Sequence, residues 1–173
     1  MNKYIPNMYK KNILDIDYNK LKSIGIKCII FDLDNTIALI DEEALPSSVE
    51  SLFKKLEKDF KVVIISNNVR KRISRFCEPN SIYFVSFALK PLSYGFRKIK
   101  KVYNLKKKEM CMIGDQLMTD ILGGNHFGIY TILVDPLGKK DLKITTFNRF
   151  LENRIIKKLS KRNILKRGKY YEW

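Results

Sequence analysis

The chain has 173 residues, 45% of them hydrophobic, which is enough for one domain with a buried core and too much for a disordered chain. Thirty-four Lys and Arg against 18 Asp and Glu leave a formal net charge of +16, which points to an anionic partner: nucleic acid, a membrane surface or a phosphorylated substrate. No run approaches the length of a membrane span, no signal-peptide core opens the chain, and the three cysteines make no CxxC pair, so a cytoplasmic protein, soluble or peripheral at the membrane surface and without disulfides, is expected.

The first 27 residues mix polar and apolar positions; Ile13, Leu14, Ile16 and Leu21 can pack a short helix or turn onto the domain edge, and Gly25 punctuates before the first strand. Cys28-Ile29-Ile30-Phe31 reads as a strand buried on both faces, as in a parallel sheet, and it runs straight into Asp32 and Asp34. Desolvating a bare carboxylate is too costly for a buried strand to carry one along its length. The two aspartates therefore belong at the strand's carboxyl end, where open α/β sheets place their ligands. Taken alone, Asp-x-Asp could equally be an Asx turn. Pro46-Ser47-Ser48 starts a helix with Val49, Leu52, Phe53 and Leu56 at helical spacing.

A second strand over residues 62–65 ends at Ser66-Asn67-Asn68, and a basic helix follows over residues 69–77. Pro79-Asn80 is a turn; a third strand over residues 82–87 ends near Lys90-Pro91, and residues 93–103 form a helix with Phe96, Ile99, Val102 and Tyr103 on one side. A fourth strand over residues 110–113 stops at Gly114-Asp115, a short helix spans residues 120–125, and residues 130–134 form a fifth strand. This alternation predicts βαβ units: a three-layer, doubly wound, Rossmann-like α/β fold around a parallel sheet of about five strands. Cys28 and Cys111 fall in apolar runs and read as core residues; Cys77 has no assigned role. The domain is expected over residues 1–146, with residues 147–173 a basic amphipathic tail packed on or beside it.

In such a sheet the strand ends open on one crevice, which brings together Asp32, Asp34, Ser66, Lys90, Asp115 and Asp120. Carboxylate oxygens with a single histidine in the chain suit magnesium rather than zinc, and a lysine and a hydroxyl beside magnesium suit a phosphoryl group. With these residues in order, the chain resembles the haloacid dehalogenase (HAD) superfamily of aspartate-nucleophile phosphatases. Asp32-Leu33-Asp34-Asn35-Thr36, Ser66, Lys90 and Gly114-Asp115 to Asp120 match its four motifs, each after an expected strand. The finer texture is similar to the YqeG-like branch of subfamily IIIA: Ser66-Asn67-Asn68, Lys90-Pro91, Gly114-Asp115-Gln116-Leu117 and Gly123-Gly124-Asn125. His126 stands where that pattern leads one to expect Arg, and as the lone histidine it reads as a surface or packing residue.

The resemblance implies a phosphomonoesterase with a magnesium cofactor. Asp32 would be the nucleophile and a metal ligand. Asp34 would be the acid and base, its backbone carbonyl also on the metal. Thr36, Ser66 and Asn67 would hold the phosphoryl oxygens, and Lys90 would neutralise charge in the transition state. Asp115 would bind the metal, with Asp120 supporting Lys90 or the metal shell. The plainer alternatives are Ser66 as a helix cap, Asp120 as a first-turn helix acid, and Asn67 and Asn68 as turn residues.

Neither interval, Thr36 to Ser66 nor Ser66 to Lys90, has room for the cap domain that this superfamily often inserts. A capless, open site suits a substrate whose own bulk covers it, such as a macromolecule or a lipid head group. Relatives in the resembling branch are implicated in phosphatidylglycerophosphate dephosphorylation, which makes an anionic phospholipid the expected substrate. The tail, with Phe147, Phe150, Leu151, Ile155 and Leu159 near one face among many basic residues, would either lie on a membrane or dock on the domain. The rival function is a basic RNA- or ribosome-associated adaptor on the same fold, although no RNA-binding signature stands out.

Overall fold

The computed structural model describes residues 2–138 and 143–172, with the helical backbone alone for residues 143–148. The strands are β1 (Met8–Lys10), β2 (Cys28–Phe31), β3 (Lys61–Ile65), β4 (Tyr83–Val85), β5 (Met110–Gly114), β6 (Tyr130–Val134) and β7 (Tyr171–Glu172). The helices are α1 (Tyr18–Ser23), α2 (Ser47–Leu56), α3 (Arg70–Cys77), α4 (Tyr94–Val102), α5 (Leu122–Phe127) and α6 (Lys143–Lys161). The strands form a single sheet in the order β4-β3-β2-β5-β6-β1-β7, parallel except for β7. This is the expected α/β class.

Alternation along the central strands builds the three layers. Ile29 and Phe31 of β2, Val62 and Ile64 of β3, and Cys111 and Ile113 of β5 pack with Phe53 of α2 and Phe76 of α3. Their neighbours Ile30, Val63, Ile65 and Met112 pack on the opposite side with Phe96 and Ile99 of α4 and Phe127 of α5. The apolar runs are continuous because both faces of the sheet are covered. The register sets the site: Phe31 lies opposite both Ile64 and Ile113, so Asp32, Ser66 and Asp115 leave their strands at nearly one level.

Among the described residues the sheet has seven strands where about five were expected. The two additional strands, three and two residues long, are too short to show a periodic pattern. Long-range packing holds them: Tyr9 of β1 is buried with Leu117, Ile121, Ile156 and Leu159, and Tyr171 packs against the same cluster. Strand β4 covers three residues rather than the six expected, because the chain turns away after Val85 toward Lys90. Helix α6 starts before residue 147 and lays Ile156 and Leu159, not Phe150, on the sheet edge; Phe150 is 53% exposed. The side chain of Phe147, placed on the expected apolar face, lies outside the described residues. All three cysteines are buried, and burial pushes the Cys28 and Cys77 thiols up to about 12, as befits inert core residues. His126 is on the surface.

No helix among the described residues is long and apolar enough to cross a membrane.

Candidate active site

The candidate site forms where β2, β3 and β5 end. Asp32 follows β2 directly, its N–H donating to Ile113 O at 2.9 Å, so its position is fixed by the sheet ladder itself. Lys90 arrives from the loop after β4. Its buried ammonium donates to Oδ1 of Asp32, to Oδ1 of Asp120 at 2.6 Å and to Ile65 O at 3.3 Å. Asp120 lies in a π-helical turn, Leu117–Ile121, whose wide geometry carries the chain from Asp115 into α5. Its Oδ2 accepts from Gln116 N at 3.1 Å. A Cβ on Gly114 would sit 2.3 Å from Oδ2 of Asp120, so only glycine leaves room for this carboxylate beside β5.

Asp32, Asp115 and Asp120 are buried, and one carboxylate oxygen from each lies within 4.8 Å of the others. Burial raises the Asp32 carboxyl well above its ordinary range, and the Lys90 ammonium draws it back down. Burial also pushes Asp115 up to about 6 against the pull of Arg149. For Lys90, burial works against the charge, but Asp120 and Asp32 outweigh it and raise the pKa. The cluster is thus short of positive charge and presents hard oxygen donors, a set that fits a divalent cation such as magnesium.

The remaining expected residues are present with particular partners. Thr36 Oγ1 donates to Asp115 Oδ1 at 3.1 Å. Ser66 Oγ accepts from Asn68 N at 3.1 Å, a local turn contact rather than the helix cap weighed for it, since Val69 is the N-cap of α3. Asn67 has its side chain taken up by Lys90: Oδ1 accepts from Lys90 N at 2.7 Å and Nδ2 donates to Lys90 O at 2.9 Å. It therefore orders the lysine's main chain, and any phosphate contact falls to its own N–H.

The carboxylate of Asp34 stands apart from the three-carboxylate cluster. Asn68 Nδ2 donates to its Oδ2 at 3.2 Å, and Arg72 Nε and Nη2 donate to its Oδ1 at 3.0 and 2.9 Å. The same guanidinium bonds Leu39 O and Glu42 O, tying the segment after Thr36 to the site. A second unforeseen arginine, Arg149 of α6, donates to the Asp115 carboxylate, to Asp115 O at 3.0 Å and to Glu152 Oε2 at 3.1 Å. Buried Glu152 also accepts from Met118 N at 3.0 Å. Neither arginine showed in the sequence, since each sits in a basic run whose members all look solvated. The only available signals were their helical positions facing a strand end.

Parallel strand ends that bring Asp32, Lys90, Asp115 and Asp120 together, with Asp34 beside them, form the arrangement expected of an aspartate-centred phosphatase on a HAD-type fold. Comparison with known proteins bears on the family. A family model described as HAD-hydrolase-like matches residues 88–147, and one described as mitochondrial PGP phosphatase matches residues 1–75. The chain is 42% identical over 171 residues to the probable phosphatase YqeG of Bacillus subtilis (strain 168), covering 98% of this chain and 96% of that one. It is therefore a phosphatase that belongs to the YqeG family of the HAD superfamily. It is also 24% identical over 149 residues to phosphatidylglycerophosphate phosphatase 1, chloroplastic/mitochondrial, of Arabidopsis thaliana, covering 79% of this chain and 42% of that one. Identity to the chloroplastic enzyme of the same name from Chlamydomonas reinhardtii is 27% over 143 residues, covering 77% and 53%. A crystal structure of an uncharacterized protein from Listeria monocytogenes serotype 4b shares the fold, with a TM-score of 0.55 at 19% identity over 68% of this chain and 85% of that one.

Proposed function

We propose that the protein is a magnesium-dependent phosphatase that hydrolyses a phosphomonoester through an aspartyl-phosphate on Asp32, and that its substrate is phosphatidylglycerophosphate. The observation that carries the mechanism is the Lys90 ammonium, held between Asp32 and Asp120 with Asp115 alongside. Lys90 bonds Oδ1 of Asp32, so Oδ2 is assigned the attack on phosphorus. As the new O–P bond forms, the bond to the leaving oxygen breaks, and that oxygen takes a proton from the Asp34 carboxyl. In the second half, the Asp34 carboxylate takes a proton from water. The water oxygen bonds phosphorus and the bond to Asp32 breaks, which releases inorganic phosphate and restores both side chains. Lys90 neutralises charge that develops on the transferring group, while Thr36, Ser66 and the Asn67 N–H hold its oxygens. Asp32, Asp115 and the Asp34 carbonyl would hold magnesium, which would supply Lewis-acid stabilisation of the charge on the transferring group.

The lipid substrate is supported by similarity to proteins named phosphatidylglycerophosphate phosphatases and by the net charge of +16. It is also supported by the chain between Thr36 and Lys90, which holds only α2, β3, α3, β4 and their connections, with no cap. Such an enzyme would work at the cytoplasmic face of a membrane, in peripheral contact with it. Phosphate release from phosphatidylglycerophosphate in mixed vesicles tests the assignment. Release that requires magnesium is expected; turnover of an aryl phosphate with none of the lipid would overturn it.

A further inference from the structure

The eight residues between β4 and α4, residues 86–93, have an unusual surface. Ala88 and Lys90 point inward, while Phe87 and Leu89 are 55% and 56% exposed, and Leu92 beyond them is 62% exposed. Val69, at the head of α3, and Tyr94, at the head of α4, are also exposed. A scattered exposed leucine needs no explanation, but a group of large apolar side chains around one catalytic lysine does.

Three features argue that these side chains are presented to a partner. First, Phe87 and Leu89 have φ of +47° and +56°, a left-handed conformation that bulky residues avoid. Second, the loop is held firmly in this shape. Phe87 N donates to Asn68 O at 3.1 Å, Ala88 N to Ser66 O at 3.1 Å and Leu92 N to Leu89 O at 2.7 Å, in addition to the Asn67 clamp on Lys90. The apolar side chains therefore move with the active site. Third, exposed Arg70 and Lys71 follow Val69 in the chain, exposed Arg97 and Lys98 lie one turn beyond Tyr94, and residues 60–77 and 79–108 contain no Asp or Glu. An apolar knob in an acid-free basic surround complements an anionic bilayer, whose head groups meet the cations and whose acyl boundary takes the knob.

We infer that the β4–α4 loop, with Val69 and Tyr94 beside it, is the surface that docks on an anionic phospholipid membrane. Phe87, Leu89 and Leu92 enter the interface, which brings the crevice holding Lys90 and Asp32 to head-group level. This inference rests on the lipid-substrate reading of the same site, and it assigns the docking to this loop rather than to the basic tail.

Cosedimentation with phosphatidylglycerol-containing vesicles tests it without any phosphomonoester present, so docking and substrate are read separately. The variant is F87N/L89N/L92S; asparagine accepts a left-handed φ more readily than phenylalanine or leucine, so the fold is spared. The inference expects vesicle binding weaker by at least about tenfold, with unchanged Tm and unchanged turnover of a soluble aryl phosphate. In a second variant, Leu92→Trp combined with Trp173→Phe so that a single indole sits at position 92, fluorescence should shift to the blue on adding these vesicles and be quenched by brominated acyl chains. Unchanged vesicle binding by the triple variant, or a Leu92→Trp indole that stays unshifted while the protein is bound, would overturn the inference, even if lipid turnover is intact. So would a dimer that the triple variant converts to monomer without affecting vesicle binding. Lost vesicle binding together with no turnover of phosphatidylglycerophosphate by wild type would uphold the docking surface while removing the proposed substrate.

Discussion

Asp34 is held by Arg72 and Asn68 outside the three-carboxylate cluster, and the role proposed for it is proton transfer rather than metal ligation through its carboxylate. Asp34→Asn should therefore slow phosphoryl transfer to Asp32 from an alkyl phosphate by about 10²–10⁴, and from an aryl phosphate, whose leaving group needs little protonation, by much less, while breakdown of the common intermediate slows for both. Single-turnover release of the two leaving groups checks this; equal losses in that first step would count against the role. Arg149 makes a different case. Its guanidinium gives buried Asp115 and Glu152 their positive charge. Arg149→Gln should lower stability without magnesium, by about 3–5 kcal/mol if the pair behaves as a broken buried ion pair. Because magnesium would replace the missing charge, its addition should raise the Tm of the variant more than that of wild type, as scanning calorimetry would show. Asp32 and Asp115 were legible at this scale because each directly follows an apolar run that forms a buried strand, whereas Lys90, in the loop beyond β4, was legible only through its order among the matched motifs. Arg72 and Arg149 were not, because their partners lie 38 and 34 residues away in the chain and nothing local marks the pairing.

The central strands and the helices that cover them were legible as elements, since their hydrophobic periods are clear. Strands β1 and β7 were not; their few residues are extended because Tyr9, Tyr171, Ile156 and Leu159 pack together. That cluster also bears on the tail. Helix α6 carries Arg149 to Asp115 and Glu152 to the Met118 N–H, so it supports the loop that holds Asp115 and Asp120. Leu159 is fully buried, and Leu159→Ala should cost about 2–5 kcal/mol in chemical denaturation. Removing residues from 147 onward should then lower aryl phosphate turnover as well as lipid turnover. A truncated chain with wild-type denaturation and aryl phosphate activity would contradict this account of α6.

At the scale of the whole molecule, the +16 charge is compatible with folding because the few acids are concentrated in pairs and in the catalytic cluster, which leaves broad basic surfaces exposed. Attraction to an anionic membrane is worth about 1 kcal/mol per Lys or Arg near the surface and is screened by salt. Vesicle binding should therefore fall steadily as sodium chloride rises from low to physiological levels and beyond, and sedimentation isotherms at several salt concentrations check it. Salt-independent binding would mean that the apolar loop acts without its basic surround. The fold class could be anticipated from alternating strand and helix signals, and the lack of a cap between Thr36 and Lys90 from intervals too short to hold one. The apolar rim could not, because exposure of Phe87 and Leu89 follows from left-handed backbone at two non-glycine positions. The central claim is that Asp32 carries the phosphoryl group, and the most direct measurement is to trap it. Asp34→Asn, mixed with a phosphoryl-labelled aryl phosphate and quenched in acid, should retain label, and peptide mapping should place it on Asp32. A wild-type enzyme that turns over while neither it nor the variant ever carries label on Asp32 would contradict the account.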